Sequence, residues 1–143
     1  MTKGAESIAI KVKMPNDILI VPMDAMLIEQ VLINLLLNAA THGGDVSVIC
    51  ITVEDRGREI GFIVSDDGKG IAADLLPVLF DDSGILDIWN EVGDANRFMG
   101  IGLSVCRTIV QAHGGSIFAG NLPDGGAEFT FTLPYEKGET DGA

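Results

Sequence analysis

Apolar and polar residues alternate over Glu6-Ser7-Ile8-Ala9-Ile10-Lys11-Val12-Lys13, the period of two expected of a half-buried strand. Pro15-Asn16-Asp17 marks a turn, and Ile18 to Val21 reads as a short second strand. From Asp24 the period changes. Leu27, Ile28, Val31, Leu32, Leu35 and Leu36 recur at helical spacing, so a helix is predicted from an N-cap at Asp24 to about His42, stopped by Gly43-Gly44. Val46 to Glu54 and Glu59 to Ser65 are β-rich runs, with Asp55-Arg56-Gly57-Arg58 as their hairpin loop. A Gly-rich turn, Asp66-Asp67-Gly68-Lys69-Gly70, leads to a short helix near Ala72 to Phe80. Residues 81 to 99 are acidic, contain Gly84 and Gly93, and have no firm period. A stretch of that kind inside a compact domain reads as a mobile loop. A second long helix is expected from Gly100 to His113, ended by Gly114-Gly115. Ser116 to Ala119 and Ala127 to Leu133 are strands joined by a turn at Pro123-Asp124-Gly125-Gly126. Residues 135 to 143 read as a frayed acidic tail.

That order, β-β-α-β-β-α-loop-α-β-β, is not an alternating βαβ array. It predicts an α/β two-layer sandwich, a mixed sheet covered on one face by about three helices. The 143 residues suit one domain with a single core, here residues 1–134 followed by the tail.

Charge narrows the function. Lys and Arg total 9 against 21 Asp and Glu, a net charge of -12. Such a chain is ill suited to binding nucleic acid or an anionic membrane over a broad surface. Any anionic ligand must be captured locally, by backbone amides, a helix N-terminus or a metal ion. Cys50 and Cys106 belong to no metal-ligand cluster and read as buried free thiols of a reducing compartment. No apolar run approaches the roughly 18 residues of a membrane span, and the first residues lead into no signal-peptide core. A cytoplasmic location is expected for this piece.

Three separated motifs bear chemistry. Asn34 and Asn38 stand four apart on the first long helix and share a face. A carboxamide is a neutral oxygen ligand, able to hold Mg²⁺ beside a phosphate. Asp66 to Gly70 closes an apolar strand. A carboxylate there can accept a hydrogen bond from the amino group of adenine, and glycines let backbone approach a flat base. Gly100-Ile101-Gly102-Leu103 opens a helix, where free amides and the helix dipole favour a phosphate. Each has a plain alternative: two Asn on an exposed face, an Asp-Gly turn, a lone Gly-x-Gly. Their order carries more information than any one of them.

Glu29-Gln30-Val31-Leu32-Ile33-Asn34-Leu35-Leu36-Leu37-Asn38-Ala39 resembles the N box of sensor histidine kinases. Asp66 to Gly70 resembles their G1 box, Phe80 the remnant of an F box, and Gly100 to Leu103 the G2 box. Val110 to Gly115 and Gly126 to Pro134 resemble the closing segments. The match spans about residues 20 to 134 in family order. Met23 to Leu36, Met99 to Cys106 and Asn121 to Ala127 are similar to the potassium-responsive KdpD-type sensor kinases.

The resemblance implies the Bergerat ATP-binding fold shared by gyrase, histidine kinases and MutL, with ATP and Mg²⁺ as cofactors. It implies that Asn38 ligates Mg²⁺ and that Asn34 stands near the phosphates. Asp66 would bind adenine, with Gly68, Gly70 and Ile71 around the base. Gly100, Ile101, Gly102 and Leu103 would border the triphosphate, and His42 and Arg97 would also contact the nucleotide. Residues 81 to 99 would be the ATP lid. Hydrolysing relatives carry a water-activating Glu where this chain has Asn34, so ATP would be held for transfer. The acceptor would be a histidine in a separate dimerisation domain, since neither His42 nor His113 lies in an H-box context; His113 reads as a helix C-terminal residue. A cognate response regulator and a membrane-anchored parent kinase are implied as well. The chain departs from the pattern at Thr41 and His42, at Phe98, at Ala127 and in its acidic lid. These departures support the alternative, the same fold with weak nucleotide binding acting as a regulatory interaction module. An anti-sigma serine kinase is the third class considered.

Overall fold

A computed structural model describes residues 8–15, 21–42, 46–73, 76, 79–80 and 94–135, with backbone alone at 41–42 and 94–102. Five strands and two long helices make up the described part: β1 (Ala9–Lys13), α1 (Ala25–His42), β2 (Val48–Asp55), β3 (Glu59–Asp66), α2 (Asp94–Ala112), β4 (Ser116–Asn121) and β5 (Ala127–Pro134). The strands form one sheet in the order β1-β2-β3-β5-β4. β1 runs parallel to β2, and every other neighbour pair is antiparallel. The mixed sheet and its helical layer agree with the sandwich expected from sequence.

Period-two alternation decides what β3 turns toward the core, whereas β1, expected to be half-buried, is exposed along its whole length. Ile60, Phe62 and Val64 of β3 stand opposite Leu133, Phe131 and Phe129 of β5, and Phe62 stacks on Phe131 with centroids 4.7 Å apart. This face packs against Ile28, Val31, Leu35 and Ala39 of α1 and Leu103, Cys106, Ile109 and Val110 of α2. Asp66 is the next residue of the same alternation, so the pleat carries its carboxylate to the helix-covered side at the strand's end.

Local chemistry fixes the helix ends. Asp24 caps α1 as predicted, its Oδ1 accepting from the Leu27 amide at 3.2 Å. α2 closes in a Schellman arrangement. The Gly115 amide reaches the Val110 carbonyl at 3.0 Å, and the Gly114 amide reaches that of Gln111 at 2.9 Å. Gly114 has φ +81°, and a Cβ on Gly115 would collide with the Thr132 carbonyl oxygen. His113 sits at this end, as expected, and ties it to the start of α1. Its Nε2 accepts from the Asp24 amide at 2.9 Å, while Nδ1 faces the Ile109 carbonyl at 2.8 Å. The neutral Nδ1–H tautomer satisfies both contacts.

Several expectations need correction. The buried stripe of α1 is centred on Ile28, Val31, Leu35 and Ala39, while Leu27 is exposed. α1 is apolar on nearly every side, so spacing alone could not choose its inner face. Cys50 is half-buried, and only Cys106 is fully enclosed. Two long helices lie among the described residues; where the short helix is expected near 72–80, the Leu76 amide reaches Ala72 O at 3.3 Å and the Leu79 amide reaches Leu76 O at 3.4 Å. Residues 74, 75, 77 and 78 lie outside the described residues. α2 begins at Asp94 and not at Gly100. Once its C-terminal turns are packed, extending the helix backward adds one hydrogen bond per residue without a new nucleus, and 94–99 contains no proline to stop it. Tyr135, expected to begin the tail, is buried. Its amide donates to Arg58 O at 3.0 Å and its hydroxyl to Asp55 Oδ1. The strand expected at 18–21, the Gly43-Gly44 stop, lid residues 81–93 and residues 136–143 lie, but for Val21, outside the described residues.

Candidate functional site

The site is built at the C-terminal end of β3, beside α1 and α2. Asp66 is 7 % exposed. Its Oδ1 accepts from the Gly68 amide at 2.8 Å and from the Ala127 amide at 3.4 Å. Among the described residues nothing donates to Oδ2, so that oxygen can meet a ligand donor. Burial raises the Asp66 pKa above its ordinary value, the two amides pull it down, and Asp67 raises it further. The adjoining Asp67 does the opposite job. Its Oδ1 takes the Ser47 and Val48 amides at 2.8 and 3.1 Å, and those bonds lower its pKa. Asp67 therefore pins the loop to β2, and Asp66 is the carboxylate left facing the site.

The loop after Asp66 is held from the other side by the β4–β5 turn. Asn121 engages both backbone polar groups of Ile71: its Oδ1 accepts from Ile71 N at 2.7 Å and its Nδ2 donates to Ile71 O at 2.9 Å. Gly70 has φ +85°, and a Cβ there would lie 2.8 Å from Asn121 Oδ1. Gly126 has φ +99°, and a Cβ there would strike the Asp66 carbonyl oxygen. Asp66, Gly68, Gly70 and Ile71 thus lie together in a loop held from both sides. Asn121 and Gly126 were missed as parts of this site. Gly-Gly before a strand was a visible signal for a turn, but nothing in the sequence said what the turn touches.

Asn34 and Asn38 are both half-buried on α1. Asn34 Nδ2 approaches Cys106 Sγ at 3.7 Å, and its Oδ1 faces Gln30 Nε2 at 3.4 Å. Cys106 Sγ lies 3.9 Å from Val31 O. Burial pushes the Cys106 thiol up to about 11, so it stays protonated and inert. Asn38 Nδ2 is buried with no hydrogen-bond partner among the described residues. An orphaned buried amide is costly, and its O and N positions exchange by rotation of the amide. The group is suited to a ligand that supplies what the protein does not. No cluster of three or more His, Cys, Asp or Glu side chains that could cage a metal occurs among the described residues. A Mg²⁺ ion, which keeps several waters and takes one or two protein oxygens beside phosphates, fits this donor set.

The remaining predicted residues are placed differently. Gly100, Ile101 and Gly102 are inside α2 and not at its start, which commits amides at these positions to the helix ladder. Arg97 is in the same helix. Leu103 is fully buried in the core, so any contact it makes with a ligand is through its backbone. His42 ends α1. Phe80 packs edge-on against Phe129 at 6.3 Å, and its carbonyl accepts from Arg107 at 2.8 Å.

Residues 23–137 match the family of histidine kinase-, DNA gyrase B- and HSP90-like ATPases. The chain belongs to this family. It is 43 % identical over 127 residues to the sensor protein KdpD of Clostridium acetobutylicum, covering 89 % of this chain and 14 % of that protein. The catalytic domain of histidine kinase ThkA, solved free of nucleotide, superposes with a TM-score of 0.74 at 31 % identity, over 91 % of this chain and 80 % of that one. ThkA in complex with response regulator protein TrrA matches with a TM-score of 0.68 at 32 % identity, over 89 % of this chain and 34 % of that chain. Family and fold together make this the ATP-binding catalytic domain type of the histidine kinases. The chain spans about a seventh of the KdpD relative, 14 % of its length. No helix among the described residues is long and apolar enough to cross a membrane.

Proposed function

We propose that this chain is the ATP-binding catalytic domain of a two-component sensor histidine kinase. It holds MgATP for transfer of the γ-phosphoryl group to a histidine of a dimerisation domain outside this chain, and the phosphoryl group then passes to a cognate response regulator. The observation that carries the reading is Asp66, a carboxylate buried at a strand end with Oδ1 engaged by two amides and Oδ2 given no donor among the described residues. A carboxylate so placed suits the exocyclic amino group of adenine. Asn38 would hold Mg²⁺, with Asn34 oriented beside it. Bound Mg²⁺ would neutralise phosphate charge and align the terminal phosphoryl group. The protein's part is positioning. Asn34, standing where hydrolysing relatives have Glu, is no general base, so water is not activated and ATP is kept for the histidine.

A second reading has one observation in its favour. With Gly100 and Gly102 inside α2, their amides are engaged by the helix and not presented to phosphate. The same fold would then bind nucleotide weakly and serve as an interaction module. Calorimetric titration with MgATP separates the two. We expect saturable binding that is lost in Asn38→Ala and reduced in Asp66→Asn. Absence of saturable binding to the unaltered chain would overturn the kinase reading.

A further inference from the structure

Two segments 50 or more residues apart in the chain meet along one edge of the site. The loop 66–71 supplies the carboxylate and the glycines; the turn between β4 and β5 supplies its backing. Three contacts join them. Ala127 donates to Asp66. Gly126 lies against the Asp66 backbone so closely that no Cβ would fit. Asn121 pairs with both backbone polar groups of residue Ile71. The first two act at the strand end, where β3 and β5 are already joined by the sheet ladder. The third acts beyond the sheet, where no ladder continues. Residues 67–72 belong to no strand or helix; Asp67 pins the start of the loop through the Ser47 and Val48 amides, and Asn121 fixes its far end at Ile71.

We propose that Asn121 is a positioning residue for nucleotide recognition: it gauges the 66–71 loop so that the Asp66 carboxylate and the Gly68–Gly70 backbone meet an adenine base at one fixed spacing. The inference rests on the proposed ATP-binding function and adds to it the residue that sets base selectivity without touching the base. The planar carboxamide presents an acceptor and a donor side by side, and so takes the N–H and the C=O of one residue, which belong to the peptide groups on either side of Ile71. That pairing constrains both the distance and the orientation of the backbone at Ile71, which a single hydrogen bond would not. Gly70 shows how tight the fit is, since a side chain there would meet Asn121 Oδ1 at 2.8 Å. Asn121 itself is held in register as the last residue of β4, opposite Ala127, whose amide already bonds to Asp66. Carboxylate and gauge are therefore referenced to the same pair of residues.

The test compares the unaltered chain with Asn121→Ala, using ATP and GTP as probes in Mg²⁺ buffer, with Ile71 amide exchange followed by NMR. Losing two exposed hydrogen bonds leaves the ladder intact, so the variant folds. The expected results are faster Ile71 exchange, ATP affinity lowered by about tenfold, and a smaller ratio of ATP to GTP affinity. In an Asp66→Ala background the same substitution should cost little further ATP affinity, because the gauge acts through the carboxylate. Unchanged Ile71 exchange, unchanged ATP affinity, or equal losses for ATP and GTP would each overturn the proposal while leaving the ATP-binding reading intact. If the unaltered chain bound neither nucleotide, both would fall.

Discussion

Asp66 holds a charge where water would hold it better. Burial raises its pKa, and the amides of Gly68 and Ala127 recover only part of the cost. The sign of the linkage follows. A group whose folded pKa is raised contributes its stability below the unfolded value, and that contribution is lost as pH rises through the folded pKa. Asp66→Asn removes the titration but keeps an Oδ1 able to accept both amides. The ligand-free variant should therefore gain stability relative to the parent as pH rises from about 4 to 7, measured by urea denaturation at both values. At neutral pH it should also lose roughly 1.5–3 kcal/mol of ATP affinity, the range for a hydrogen bond to a charged group. A gap moving the other way with pH would show that Asp66 is a structural anion and not a strained one. Undiminished ATP affinity would remove it from the adenine site. Tyr135 titrates the same way at the other end of the scale: burial, the bond to Asp55 and that group's charge push its phenol up to about 12.

Helix α2 carries a conflict between two uses of one segment. Gly100 and Gly102 would serve a phosphate with free amides, yet they are wound into a helix that begins at Asp94. Glycine in a helix interior costs roughly 1 kcal/mol relative to alanine, so this stretch is the cheapest part of α2 to unwind. The C-terminal half is fixed by Leu103, Cys106 and Val110 in the core and by the Gly114-Gly115 closure. Gly100→Ala with Gly102→Ala should stabilise the helix by roughly 1–2 kcal/mol and weaken MgATP binding, because unwinding now costs more. Amide exchange of 94–102 would report it, slowed in the variant and accelerated by MgATP in the parent. Tighter nucleotide binding by the variant would show that the helical form is the competent one. The same segment shows why sequence reading stopped short. Strands were legible from β-rich runs and, in β1 and β5, from alternation in the sequence, and Asp24 and Gly114-Gly115 mark helix ends by local chemistry alone. The start of α2 was not, because acidic residues and Gly93 weaken local preference while cooperativity with a packed helix decides the outcome. The roles proposed for Asn34, Asn38, Asp66 and the glycines come from residue type, spacing and the family resemblance together. Asn121 was not legible, because its partner is 50 residues away and nothing in a turn names what lies across it.

Across the whole chain, 21 acidic side chains face 9 basic ones, and the proposed ligand is a polyanion. Of the described cations near the site, Arg107 is already bonded to the Phe80 carbonyl, and Lys69 stands exposed on the loop. The segment 81–99 carries Asp81, Asp82, Asp87, Glu91 and Asp94 against Arg97 alone. Like charges at this density repel in a partly dry cleft unless a cation intervenes. ATP binding should therefore depend on Mg²⁺ more than ADP binding does, since each further phosphate meets the same field. Salt separates this from simple ligation. With Mg²⁺ removed by chelation, raising ionic strength shortens the Debye length to about 8 Å at 0.15 M, which screens repulsion and should strengthen the residual ATP binding. A basic pocket would respond in the opposite sense. Calorimetry with and without Mg²⁺ at two salt concentrations reads both effects. Equal ATP affinity in all four conditions, or weakening by salt without Mg²⁺, would mean that the acidic surface is too far from the triphosphate to matter and that Asn38 contributes no metal site.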